Sequence, residues 1–178
     1  MIIRAKLAAI AVAALASVTV AVAAPVEAKS RITYPLSVSV LIAHNQERAR
    51  WGVHPLTWDP ALAASADRYA AEMARTGRWG HSPRSWRPGQ GENLWMGTRG
   101  AYSVDAMVGG WLSERKWFRP GVFPAVSRTG NWSDVGHYTQ MVTRNSTRVG
   151  CAVRSSRQWD YLVCRYNPSG NIDGRPVV

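Results

Sequence analysis

Two histidines and two glutamates stand out as side chains that could act together. They are His81 in Gly80-His81-Ser82, Glu92 in Gly91-Glu92-Asn93-Leu94, Glu114 three residues after Trp111, and His137 in Gly136-His137-Tyr138-Thr139-Gln140-Met141. Two imidazoles and two carboxylates gathered in one cleft could hold a divalent metal, or move protons as general acid and base. The gaps between them are long, and no compact His-Glu-x-x-His pattern occurs. On spacing alone the plainer reading, a scatter of surface His and Glu, is the stronger one. Only the fold can bring them together.

The elements that would have to do so follow a leader. Arg4 and Lys6 precede an apolar run from Leu7 to Val22, and small residues then offer a cut after Ala23 or Ala28. That order is a secretory signal peptide. Residues 1–28 are read as the leader and 29–178 as a single domain able to bury a real core. The alternative is an uncleaved anchor, for which the run is barely long enough. Loss of the leader removes Arg4, Lys6 and Glu27 and lowers the formal charge from +11 to +10. A secreted or periplasmic protein this basic should meet anionic cell-surface polymers or acidic lipids, with peripheral membrane contact. The basic residues are dispersed arginines without a dense block, which argues against nucleic acid. A monomer is expected.

A first helix is predicted from Ser37 as N-cap to Arg50 or Trp51, with Val38, Leu41, Ile42, Asn45 and Ala49 on its buried face. His44 and Arg48 lie one turn apart on it and suit structural hydrogen bonds. Asp59-Pro60 opens a second helix that buries Leu62, Ala66, Tyr69 and Met73 and stops at Gly77. From Gly77 to Gly100 the Gly, Pro, Ser, Arg and Trp content predicts loop, and His81 and Glu92 both fall there. Gly91 would let the backbone approach something closely. Ser103 caps a third helix with Val104, Met107, Val108 and Trp111 inward, and Glu114 at the rim of that stripe. Gly136–Asn145 suits a short helix.

Thr147–Arg154 and Trp159–Tyr166 form an antiparallel hairpin around Ser155-Ser156-Arg157-Gln158. Cys151 and Cys164 would face each other across it, as a disulfide in an oxidising compartment; a metal pair is the less favoured alternative. Helices followed by a terminal hairpin give an α+β layered domain.

At these residues the chain resembles the CAP superfamily of cysteine-rich secretory proteins, antigen 5 and pathogenesis-related proteins (the SCP domain). Gly136-His137-Tyr138-Thr139-Gln140-Met141-Val142 is similar to its first signature. Tyr161-Leu162-Val163-Cys164-Arg165-Tyr166-Asn167-Pro168-Ser169-Gly170-Asn171 is similar to its second. His44-Asn45-x-x-Arg48 and Gly91-Glu92-Asn93-Leu94 resemble two further motifs. The chain is identified as a bacterial-type secreted member; with only two cysteines expected in the mature chain, the cysteine-rich C-terminal modules of animal members and the ion-channel regulation attributed to them are not carried over. Thr143 stands where the first signature usually has Trp, so local packing must differ.

The resemblance implies a three-layer α-β-α sandwich with a small central antiparallel sheet. It also implies an open cleft where His81, Glu92, Glu114 and His137 converge and can hold Zn²⁺ or another divalent metal weakly. His44, Asn45, Arg48, Asn93, Tyr138 and Gln140 are its structural motif residues. Three functions follow as expectations. The first is capture of a sterol, fatty acid or similar amphiphile, with Trp117, Phe118 and Phe123 as candidate ligand-binding aromatics. The second is a metal-assisted hydrolase or peptidase with Glu92 or Glu114 catalytic. The third is a surface interaction protein of defence or virulence type. Neither a Gly-x-Ser-x-Gly elbow nor a free thiol is present, so the balance leans away from an enzyme.

Overall fold

The computed structural model describes residues 34–178; the leader reading lies outside them. Helix α1 (Leu36–Arg50) leads to a two-residue strand β1 (Thr57–Trp58) and then to α2 (Pro60–Thr76). Strand β2 (Gly91–Thr98), α3 (Val104–Leu112) and α4 (Gly136–Val142) follow, and the hairpin β3 (Arg148–Ser155) and β4 (Trp159–Asn167) closes the order.

The sheet runs β1-β3-β4-β2. It is antiparallel apart from one edge, where β1 pairs parallel to β3. The hairpin register sets Cys151 opposite Cys164, and the two are joined by a disulfide with Cα atoms 4.1 Å apart.

Alternation along β4 sorts the layers. Leu162, Cys164 and Tyr166 face the core shared with α1, α3 and α4. Tyr161 and Val163 face α2, where Ala66, Tyr69, Ala70 and Met73 meet them with Leu94 and Ala152. A strand buried on both faces between helices is the middle layer of an α-β-α sandwich, as expected.

The second and third helices follow their sequence signals. Asp59 caps α2 by accepting from the N–H groups of Ala61 and Leu62, and Gly77 ends it with φ +72°. Ser103 caps α3 by accepting from the N–H of Ala106. Two expectations are corrected. The stretch predicted as loop contains β2, because eight-residue pairing with β4 overrides the weak strand preference of Gly91, Asn93 and Gly97. Helix α1 is capped by Pro35 rather than Ser37, and it buries Ser39, Val40, His44, Glu47 and Arg48 while Val38 and Ile42 are exposed. Its polar residues turn inward because their hydrogen-bond partners are inside, and that energy outweighs the apolar stripe.

Candidate functional site

The motif residues on α1 tie the layers together before any cleft exists. Arg48 is fully buried, and its guanidinium donates to the carbonyl oxygens of His54 (2.7 Å), Met141 (3.0 Å), Thr143 (2.9 Å) and Ser146 (2.7 Å). One side chain thus closes both the turn after α1 and the C-terminal end of α4, which carries His137 at its other end. Asn45 exchanges two hydrogen bonds with the backbone of Leu56. Thr143, where the signature's Trp is missing, caps α4 as a buried residue packed beside Gly170.

His44 bonds through Nδ1 to the Val40 carbonyl at 2.7 Å and through Nε2 to the Tyr166 hydroxyl at 2.8 Å. Burial is the main reason its pKa falls from 6.5 to about 4, with the charge of Arg48 acting the same way. The native state therefore holds His44 neutral, whereas the unfolded chain protonates it below pH 6.5. Its contribution is fully present above pH 6.5 and is lost as pH falls toward 4. Glu92, held below the usual carboxylate range, adds loss of the same sign at lower pH. We expect urea-unfolding free energy to drop by about 3 kcal/mol across this window from His44 alone. A His44→Gln variant, whatever its stability, should show a shallower slope between pH 6.5 and 4, and an unchanged slope would reject the assignment.

The four predicted site residues occur as two His–Glu pairs. His81 follows α2 and lies on loop, while Glu92 sits on β2 with its side chain fully buried. Glu92 Oε1 meets His81 Nδ1 at 2.7 Å and accepts from the Ser82 N–H at 3.0 Å. Its Oε2 accepts from the Ser82 hydroxyl at 2.9 Å and faces Arg165 Nη1 at 3.0 Å. Burial alone would raise the Glu92 pKa, but the His81 hydrogen bond, the Arg165 charge and the Ser82 bonds outweigh it, so the group is held ionised.

Glu114 lies on a single 3₁₀ turn just past α3. Its Oε1 meets His137 Nδ1 at 2.6 Å, and its Oε2 accepts from the N–H groups of His137 (3.0 Å) and Tyr138 (2.9 Å) at the start of α4. The His137 ring stacks on Trp111, with centroids 6.0 Å apart and planes 10° from parallel. In both pairs a carboxylate oxygen faces Nδ1 and accepts its hydrogen, so Nε2 is the ring nitrogen left toward a ligand. Among the described residues, neither Nε2 has a protein partner.

His81, Glu92 and His137 line one cleft of about 880 Å³, together with Arg84, Arg87, Phe123 and Trp132. Gly91 lies on its wall, where a Cβ would stand 2.1 Å from Gln140 Oε1. That is the close approach the glycine allows. Gln140 in turn accepts from the N–H of Gly170 and donates to Ser146, and Asn93 donates to the His137 carbonyl and the Tyr166 hydroxyl.

The candidate ligand-binding aromatics are not gathered in one place. Phe123 lines the cleft and packs against Trp132. Phe118 is core, between Trp51 and Tyr138. Trp117 is exposed, with the Lys116 ammonium over its ring. Sequence reading missed Ser82 and Arg165, which complete the Glu92 pocket. An arginine inside the apolar alternation of β4 was the available signal for the second; nothing local marks the first.

Residues 41–166 match the family model described as the cysteine-rich secretory protein family, CAP. Pathogenesis-related protein 1A of Nicotiana tabacum is 40% identical over 137 residues, which is 75% of this chain and 76% of that one. Pathogenesis-related leaf protein 4 of Solanum lycopersicum is 39% identical over 135 residues, 75% of this chain and 78% of that one. These relatives are plant proteins, so the expectation of a bacterial type is not borne out. Among solved structures, NaASP2 with Zn²⁺ superposes with a TM-score of 0.68 at 22% identity, covering 83% of this chain and 87% of that one. BmVAL-1 gives 0.65 at 22% identity over 84% of both. Shared folds at such low identity speak for architecture only, but the plant relatives match most of both chains in sequence: this chain belongs to the cysteine-rich secretory protein (CAP) family.

Proposed function

We propose that this is a secreted, pathogenesis-related-type protein that acts as a monomer by binding, and that its cleft captures an amphiphile such as a fatty acid or sterol. One observation carries the reading. The cleft sets two carboxylate-oriented imidazoles and the guanidinium-bearing Arg84 and Arg87 beside the apolar surface of Phe123, Pro124, Trp132 and Ile172. An anionic or hydroxyl head suits the first set and a hydrocarbon body the second.

Binding rather than turnover follows from the carboxylates. Glu92 already takes five polar contacts and Glu114 three. A carboxylate so satisfied is a weak general base.

The same pairs bear on metal. No group of three or more His, Cys, Asp or Glu side chains is placed to share one ion among the described residues. His81 and His137 would hold a divalent ion such as Zn²⁺ weakly through Nε2, with Glu92 and Glu114 orienting the rings rather than coordinating. Such an ion would supply Lewis acidity toward an anionic head. NaASP2, a neighbour in fold, is solved with Zn²⁺.

Calorimetry with zinc and with a fluorescent fatty acid tests the reading. His81→Ala and His137→Ala should each weaken zinc binding by at least about tenfold. Trp132→Ala and Ile172→Ser should weaken the fatty acid while leaving zinc unchanged. Zinc-dependent peptide or ester turnover that disappears in Glu92→Gln or Glu114→Gln would replace this reading with a hydrolase.

A further inference from the structure

A second groove, of about 840 Å³, lies away from the His/Glu cleft and shares no lining residue with it. It runs between the end of α2, the middle of β2 and the β3–β4 turn. It is lined by Trp79, Trp159 and Met96 together with Arg75, Arg157 and Gln158.

Both indoles are exposed, 51% for Trp79 and 39% for Trp159, yet both stand on ordered backbone. The Tyr69 hydroxyl donates to the Gly80 carbonyl just beyond Trp79. The turn before Trp159 is closed by Ser156 N–H to the Trp159 carbonyl at 2.8 Å, and the Ser156 hydroxyl accepts from the N–H of Trp159 at 3.0 Å. The Arg99 N–H holds the Gln158 carbonyl at 2.9 Å.

The charge is one-sided. Arg157 has no hydrogen-bond or ion-pair partner among the described residues. Arg75 pairs only with Glu72, one helical turn away on the surface, at 2.7 Å. Asp160, close by in sequence, is buried and spent on the Ser155 hydroxyl and the Gly100 N–H. Glu72 already neutralises Arg75, so the surplus positive charge at the groove is that of Arg157.

We propose that this groove binds an acidic polysaccharide of the uronic-acid type. Pyranose rings present flat C–H faces that pack on indoles, and a ring carboxylate matches the two-pronged guanidinium of Arg157. Gln158 and Ser156 supply hydrogen bonds for ring hydroxyls. Cationic ligands meet repulsion from Arg157. Single-stranded nucleic acid also stacks and carries anions, but it needs a basic track along its backbone, and here the surplus charge is confined to Arg157.

The experiment uses the mature secreted chain with oligogalacturonide, a neutral glucan oligomer of equal length, and an oligodeoxythymidylate of equal charge. Binding should favour the oligogalacturonide. Trp79→Ala and Trp159→Ala, which leave the net charge unchanged, should each weaken it by at least about tenfold, with circular dichroism unaltered. Arg157→Ala should weaken it less. Arg119→Ala, an exposed arginine outside the groove, and His81→Ala, in the main cleft, should leave it unchanged. Three outcomes overturn the proposal: full binding by both tryptophan variants, which would mean general attraction of a polyanion to a basic protein; equal binding of the neutral oligomer; or tighter binding of the oligonucleotide.

Discussion

Arg48→Ala should leave little folded protein, with a loss upwards of about 5 kcal/mol against a total that for domains of this size is only about 5–15. The guanidinium joins the turn after α1 to both Met141 and Thr143 at the end of α4 and to Ser146 beyond it. Its removal takes a donor from four carbonyl oxygens; that of Thr143 keeps the Ser146 N–H at 3.3 Å, but those of Met141 and Ser146 lose a buried partner that water cannot replace without opening the packing. Burial lowers the Arg48 pKa only to about 10, so the group stays charged at neutral pH. Arg48→Lys keeps a charge but offers three donors from one point instead of a planar fork, and should recover only part of the loss. Thermal unfolding followed by circular dichroism decides it. A fall in Tm of less than about 5 °C for Arg48→Ala would mean that these bonds contribute little.

Glu92→Ala should cost about 3–5 kcal/mol, because it leaves the Arg165 charge buried without its partner. Arg165 is 1% exposed and lies over the Tyr69 ring, 5.5 Å from its centroid. It has Ser82 and Glu92 as its polar partners, and its Nε is already unsatisfied among the described residues. The layer is otherwise lined by Ala66, Ala70, Met73 and Val163, so an apolar replacement of Arg165 has neighbours to pack against, while an amide in place of the Glu92 carboxylate is uncharged and can still accept from the Ser82 N–H. Glu92→Gln combined with Arg165→Met should therefore recover most of the stability lost in Glu92→Ala. The double variant would still lose the carboxylate that orients His81, and zinc affinity should stay low while stability returns. Failure of the double variant to regain stability would show that the pair matters through something other than its charge.

The buried ion pair and the arginine clamp share a property that limits what a sequence discloses. Local signals were sufficient where the determining forces are local. Asp59-Pro60 and Gly77 bound α2, Ser103 starts α3, and alternation across Arg148–Ser155 and Trp159–Asn167 sets the hairpin register that pairs Cys151 with Cys164. Four short motifs in order carried the rest of the fold by resemblance. What stayed hidden depends on partners distant along the chain. Helix α1 carries an apolar stripe that periodicity assigns to the core, yet it is His44, Glu47 and Arg48 that are buried, since Tyr166, Tyr138 and the α4 carbonyls await them more than 80 residues away. β2 looks like loop until β4 pairs with it along its whole length. His81, Glu92, Glu114 and His137 could be named from the chain, but only tertiary structure made them two oriented His–Glu pairs whose imidazoles line one cleft. A carboxylate bonded to Nδ1 fixes which imidazole nitrogen is left to act, and that choice is made by contacts between layers.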